Sequence, residues 1–334
     1  MTSKQTILRM LKQADGVVSG ETLSAELGIS RVSVWKHIQG LIGAHVPIVS
    51  SPKGYRLTRD PDSLLPWAFD TWQDRIYHFQ EIGSTMDEAM ALARGGCPDF
   101  SVVVAERQRS GRGRLQRTWL SAAGGLYFTV VVRPDIPIVL GGLVNLAAAV
   151  DMADLLRSMH GIDARLKWPN DILVNGRKIC GVLSQLEAEG EQVVHMNIGI
   201  GLNVNNAPHV EEAVADSIAS LTGGPVPRRP ILIGFLDAFK RRIERFDPQA
   251  VIARWRLRTV TLGQPVRVVT LNETVTGTAV DVDAHGGLIL RLSDGSRQTV
   301  TVGDCFHQST TIAKDAELIP IHGLSLFDEP PIVE

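Results

Sequence analysis

The sequence predicts a multidomain α+β protein, and three observations predict it. Residues 1–60 carry helical apolar spacing followed by a short hairpin pattern. Residues 75–258 interleave apolar strand-like runs with helical stripes. Residues 263–307 hold only short β-like runs, separated by turns at Asn272, His285-Gly286-Gly287 and Asp294-Gly295, as in a small antiparallel barrel or sandwich. The expected division is a winged helix-turn-helix over 1–62, a mixed α/β domain over 63–260, a small β domain over 261–312 and an acidic tail over 313–334. A length of 334 residues suits such a division, at roughly 100–200 residues per domain.

Composition narrows the class. Hydrophobic residues make up 44% and charged residues 21%, which excludes a wholly disordered or collagen-like chain. The net charge of −2 means that any nucleic-acid site is a local patch. Such a patch exists: residues 1–60 hold eight basic against four acidic side chains, whereas 313–334 hold one basic against five acidic. Three widely spaced cysteines, with neither CxxC nor HExxH, argue against a disulfide scaffold or structural zinc. The N-terminus lacks the apolar run of a signal peptide, and the run over 136–150 is too short for a span, so a cytoplasmic protein is expected.

In the first segment Ile7, Leu8 and Leu11 form one helical stripe. Ser19 caps a second helix that Gly28 ends, and Ser30 caps a third with Val34, Ile38 and Leu41 on one face. Two helices joined by a glycine-bearing turn make a helix-turn-helix, and residues 47–57 read as a hairpin wing. The apolar face anchors the third helix, leaving Ser30, Arg31, Ser33, Trp35 and Lys36 for a major groove and Lys53 for phosphate. A solvated helical bundle is the plain alternative.

Residues 60–66 read as a linker. Strands are expected over 76–82, 101–106, 126–133, 165–168, 178–187 and 193–203, and helices over 86–94, 140–160 and 230–246.

Four strings carry the chemistry. Residues 107–117 include five arginines, with glycines that let the backbone approach a ligand and guanidinium groups suited to phosphate or carboxylate. The loop is neither GxGxxG nor a Walker A motif. Arg165-Leu166-Lys167-Trp168-Pro169-Asn170-Asp171 reads as a strand ending in an Asn-Asp turn, able to hold phosphate, ribose or a metal ion, or simply a structural turn around a core tryptophan. Arg177-Lys178 stands at the mouth of an apolar strand. Gly199-Ile200-Gly201-Leu202-Asn203 is a strand whose missing side chains make room for a flat ligand, or a bulge.

Taken in order, Ser84-Thr85, Gln108, Gly111-Arg112-Gly113-Arg114, Trp119, Lys167-Trp168-Pro169-Asn170-Asp171, Lys178 and Gly199–Asn203 resemble the biotin protein ligases. The winged helix in front resembles the bifunctional kind that also represses a biotin operon.

The resemblance implies a mixed-sheet catalytic domain and an SH3-like C-terminal β-barrel. It implies ATP and Mg²⁺ as cofactors, biotin as substrate, and a lysine of the biotin carboxyl carrier protein of acetyl-CoA carboxylase as acceptor. It further implies operator DNA and a ligand-promoted homodimer, with no membrane. Lys178 and Arg114 would be catalytic. Ser84, Thr85, Gln108, Gly111, Arg112, Gly113, Arg114, Lys178, Gly199 and Gly201 would meet biotin. Arg112, Arg114, Arg117, Trp119, Lys167, Asn170, Asp171, Lys178 and Asn203 would meet ATP or the adenylate. No fixed protein metal site is expected; Mg²⁺ would arrive with ATP, near Asp171. Met86, where the family commonly has asparagine, is left out of the expected site. The other readings are a ligase whose front module does not bind DNA, a biotin sensor without catalysis, and a lipoate- or octanoyl-group enzyme of similar fold.

Overall fold

The computed structural model describes residues 2–14, 16–44, 46–58, 62–114, 117–206 and 215–308. The expected tail over 313–334 lies outside these, as do Leu115-Gln116 and part of the linker.

The front module forms as its caps dictate. Helix α1 (Ser3–Gln13) buries Ile7, Leu8 and Leu11. Helix α2 (Gly20–Leu27) starts where the Thr22 amide donates to the Ser19 hydroxyl and ends at Gly28, whose φ of 63° is left-handed. Helix α3 (Arg31–Gly43) starts with the Ser33 amide donating to Ser30 Oγ at 3.1 Å and buries Val34, Ile38 and Leu41. Strands β1 (Ile48–Ser51) and β2 (Gly54–Leu57) pair antiparallel as the wing. Gly54 has φ 136°, and a Cβ there would stand 2.2 Å from the Val18 carbonyl oxygen, so the wing needs glycine at its turn.

The central domain is a seven-stranded mixed sheet. Its strands are β3 (Ile76–Phe79), β4 (Ser101–Ala105), β5 (Leu126–Val132), β6 (Arg165–Lys167), β7 (Asp171–Val174), β8 (Arg177–Glu189) and β9 (Gln192–Leu202). They lie in the order β3-β4-β5-β9-β8-β7-β6, with β3 and β4 parallel and all other neighbours antiparallel. Side-chain alternation divides the faces. Val103 and Val131 pack with Ala89 and Ala93 of helix α4 (Thr85–Arg94) on one face. Val102, Val104, Val130 and Val132 join the main core on the other, beneath α5 (Gly141–His160) and α7 (Arg228–Glu244). Helix α5 has the length and apolarity of a membrane span, yet it is the core helix of this domain, with Leu143 through Val150 buried apart from Asn145.

Three elements were not expected. Strand β7 begins at Asp171, where an Asn-Asp turn was read. Helix α6 (Ile218–Thr222) is a single short turn. Helix α8 (Pro248–Arg258) is capped by Asp247, whose Oδ1 accepts from the Gln249 and Ala250 amides; Asp-Pro at its start was the available signal.

The C-terminal domain is an antiparallel sheet of β10 (Pro265–Val269), β11 (Thr274–Val282), β12 (Leu288–Arg291), β13 (Arg297–Val300) and β14 (Asp304–His307), ordered β13-β12-β11-β10-β14. Trp168, fully buried, fastens it to the central sheet: its amide donates to Thr261 Oγ1 at 2.9 Å and its indole to the Gly286 carbonyl at 3.0 Å.

Candidate active site

The α4 face of the sheet holds a cavity of about 370 Å³. Its floor is β8 and β9, one wall is the N-terminus of α4, and the described residues of the 107–119 loop lie over it as a roof.

At one end Thr85 and Gln108 meet. The Thr85 amide and hydroxyl donate to Gln108 Oε1 at 2.8 and 3.0 Å, Gln108 Nε2 donates to Ser121 Oγ at 2.8 Å, and Thr129 Oγ1 donates to Thr85 Oγ1 at 2.9 Å. Ser84 caps α4, accepting from the Met86 amide. This is a buried hydroxyl and amide cluster suited to a small polar ring with donors and acceptors of its own.

The roof is a narrow ribbon: the Gly113 amide donates to Arg117 O and the Trp119 amide to Gly111 O, both at 2.8 Å. The Trp119 indole packs directly on the glycine floor. A Cβ on Gly201 would stand 2.4 Å from Trp119 Cε2, and one on Gly181 would stand 2.9 Å from Cζ3. The absent side chains thus do make room for a planar group, and here it is the protein's own indole.

The other end is ionic. Lys178 Nζ lies 2.6 Å from Asp171 Oδ1, an ion contact without hydrogen-bond alignment, and 5.2 Å from the centre of the Trp119 ring. Arg117 reaches Asp304 of β14 at 2.7 Å and lies over the Phe306 ring, and Arg112 pairs with Asp87 of α4 at 3.0 Å. Arg114 and Lys167 have no ion-pair partner among the described residues. Burial pulls the Arg114 pKa below its ordinary value, with Asp304 and Asp171 opposing that shift. A partly buried guanidinium with no direct ion pair is a ready anion site. Asn170 Nδ2 donates to Val182 O at 2.8 Å, and Asn203 Oδ1 accepts from Asn206 Nδ2 at 3.0 Å.

The cavity brings together Ser84, Thr85, Gln108, Arg112, Gly113, Arg114, Arg117, Trp119, Lys167, Asn170, Asp171, Lys178, Gly199, Gly201 and Asn203. Gly111 is not in its wall: a Cβ there would collide with Trp119 O at 2.4 Å and Ser121 Oγ at 2.8 Å, so Gly111 serves the close packing of the ribbon. Met86, left out of the expected site, does line it, with its terminal methyl 2.7 Å from where a Gly199 Cβ would be. Asp304 and Phe306 were also missed; they alternate on one side of a four-residue strand far along the chain, and nothing local marks them. No cluster of three or more metal-ligating side chains occurs among the described residues.

On the winged helix, Arg31, Trp35, Lys36 and Lys53 are exposed, whereas the Ser30 and Ser33 hydroxyls are engaged with each other at the cap.

Three family profiles match the chain: an HTH domain over 3–56, the biotin/lipoate A/B protein ligase family over 84–203, and the biotin protein ligase C-terminal domain over 261–308. Fold and site together define a protein ligase carrying a helix-turn-helix module. The chain is similar to the bifunctional ligase/repressor BirA of Bacillus subtilis, 34% identical over 317 residues that cover 89% of this chain and 96% of that protein. It is 32% identical to the biotin–[acetyl-CoA-carboxylase] ligase of Mycobacterium tuberculosis over 68% of this chain and 86% of that one. Among solved structures, the Aquifex aeolicus biotin protein ligase in complex with biotin and ATP superposes with a TM-score of 0.61 at 26% identity, over 70% of this chain and 98% of that one. This chain therefore belongs to the biotin protein ligase family.

Proposed function

We propose that the protein joins biotin to ATP, forming biotinoyl-5′-AMP and pyrophosphate, and then transfers the biotinoyl group to a lysine of the biotin carboxyl carrier protein of acetyl-CoA carboxylase. The observation that carries this reading is the single cavity with a Thr85–Gln108 polar end and a Lys178–Asp171 ionic end. Ser84, Thr85 and Gln108 hold the biotin ring. Arg114 and Lys178 bring the biotin carboxylate to the α-phosphate and offset the repulsion of two anions, the largest obstacle to the step. The carboxylate oxygen bonds to the α-phosphorus, the bond to the bridging oxygen breaks, and pyrophosphate leaves. The carrier amine then bonds to the acyl carbon and AMP departs.

Lys167 and Arg117 face the phosphates, and Trp119 moves from the glycine floor to cover the nucleotide. The carboxylates of Asp171 and Asp304, held at rest by Lys178 and Arg117, offer hard oxygen donors of the kind that Mg²⁺ takes once those cations turn to phosphate. Mg²⁺ accompanying ATP would supply charge neutralisation there. The ribbon over the cavity keeps water from a labile adenylate.

We further propose that the winged helix binds operator DNA, that biotinoyl-AMP acts as corepressor through a ligand-promoted homodimer, and that the protein works in the cytoplasm. The domain limits 1–62, 63–260 and 261–312 are part of the same reading. The test is biotin-dependent AMP formation in the presence of a carrier domain, run beside Lys178→Ala. Label transferred by the wild type and lost in the variant supports the ligase assignment. Tight biotin binding without transfer to a competent carrier would leave a biotin sensor in its place.

A further inference from the structure

The guanidinium of Arg228, at the start of α7, joins three places that are far apart in the chain. Its NH1 donates to Glu106 Oε2 at 2.6 Å and to the Gly125 carbonyl at 3.1 Å, and its Nε donates to Asp62 Oδ2 at 3.1 Å. Glu106 immediately precedes the 107–119 roof, and Gly125 follows the segment that returns from it to β5. One side chain thus holds both roots of the ligand loop.

Asp62 is the first described residue of the linker that follows the winged helix. Its Oδ1 accepts from the Arg228 and Arg229 amides at 2.7 and 2.9 Å, supplying from a distant part of the chain the cap that Pro227 cannot give α7. The segment that begins at Asp62 docks on α7 again where the Trp72 indole donates to Asp237 Oδ1 at 3.0 Å. The winged helix rests on this same segment. Gln5 of α1 donates to Phe69 O at 3.3 Å and to Gln73, and Trp67 packs against the core of the winged helix.

We propose that Asp62, Arg228 and Glu106 are positioning residues that couple the ligand loop to the placement of the winged helix within one chain. The biological use of this coupling rests on the reading of the protein as a ligand-responsive repressor; the coupling itself does not. A three-way ionic junction around a buried guanidinium has few alternative arrangements, because Arg228 cannot leave both half-buried carboxylates without stranding its own charge. A displacement of the loop is passed through Glu106 and Gly125 to Arg228, Asp62 and the platform under α1. Linkage requires the reverse effect to be equal in free energy.

The experiment is amide hydrogen exchange on the full chain. Asp62→Asn preserves shape and one acceptor while removing the charge facing Arg228. Without any ligand, it is expected to speed exchange at least threefold both in residues 3–43 and in residues 107–114. Gln5→Ala, which loosens only the winged-helix side, is expected to speed exchange in 107–114 as well, and Asp62→Glu to restore slow exchange. With biotin and ATP added, the wild type is expected to gain protection in both regions, and Asp62→Asn to gain it in 107–114 alone, with AMP formation at saturating substrate within twofold of wild type. Changes confined to the α7 amides in the ligand-free comparison would overturn the coupling. A wild-type loop indifferent to biotin and ATP, with the ligand-free cross-effects intact, would overturn the ligase reading and leave the coupling standing. Should Asp62→Asn fail to fold, the Gln5→Ala comparison decides alone.

Discussion

Lys178 and Asp171 are held together by an unexpected strand. Asp171 opens β7 opposite Gly181 of β8, and the register carries its carboxylate to within 2.6 Å of the Lys178 ammonium. The expected result of Lys178→Ala is a fall in kcat/KM for AMP formation of about 10²–10³-fold, the usual cost of removing one stabilising group from an electrostatic site. Asp171→Asn should slow the same step while leaving biotin affinity, measured calorimetrically without ATP, near wild type.

The floor gives a sharper test. Gly201→Ala puts a methyl group 2.4 Å from the Trp119 ring edge, so the indole must leave its resting place; the KM values for biotin and ATP should rise, and the tryptophan emission should shift to the red relative to wild type. Gly199→Ala meets only the flexible Met86 methyl at 2.7 Å and should be milder. In a Met86→Ala background, Gly199→Ala should cost nothing further, because the collision partner is gone. Equal KM penalties in both backgrounds would show that the clash is not the cause.

Glu106 sets an acid limit on the junction behind the loop. Burial alone would raise its pKa; hydrogen bonds from His78 and Arg228, with their charges, instead bring it down to about 2 from 4.5. A depressed carboxylate stabilises the fold above its unfolded pKa, and that contribution is lost as pH falls from about 4.5 toward 2. The amount is roughly 3 kcal/mol as an upper bound. Glu106→Gln should therefore lower Tm at pH 7 and flatten the decline of Tm between pH 4.5 and 2. A variant curve parallel to wild type in that window would contradict this.

On the winged helix, Ser30→Ala removes the bond to the Ser33 amide and should cost about 1 kcal/mol of that domain's stability, read by thermal unfolding. Lys36→Ala and Lys53→Ala should each weaken binding to a duplex selected from a random pool and reduce the slope of log K against log salt by about 1. Trp35→Ala should instead alter which sequences are selected, since an exposed indole reads base edges and methyl groups rather than phosphate.

Most of the fold was legible because local chemistry agreed with it. Ser19, Gly28 and Ser30 punctuate the first module as they do in the structure. The consecutive valines of β4 and β5 are buried on both faces, so they read as continuous apolar strands. The failures have physical causes. Strand β7 has three apolar residues after Asn170-Asp171, and turn chemistry outweighed so short a run. Met86 was judged by the hydrogen bond it cannot make, yet its backbone amide is tied to Ser84 and its thioether fills the wall. Gly111 was read as ligand contact; the structure adds that its missing side chain makes room for Trp119 O. Asp304 and Phe306 reach the site only through the docking of a separate sheet, a relationship no local pattern encodes.

The ion pairs around the cavity bear on how a ligand enters. Lys178, Arg117 and Arg112 each already hold a carboxylate, leaving Arg114 and Lys167 as the cations of the cavity without an ion pair among the described residues. Binding a polyanion here is an exchange of partners, phosphate for carboxylate, more than a neutralisation. Exchange of that kind releases few counterions, so ligand affinity should change little with ionic strength, in contrast to the DNA binding proposed for the winged helix.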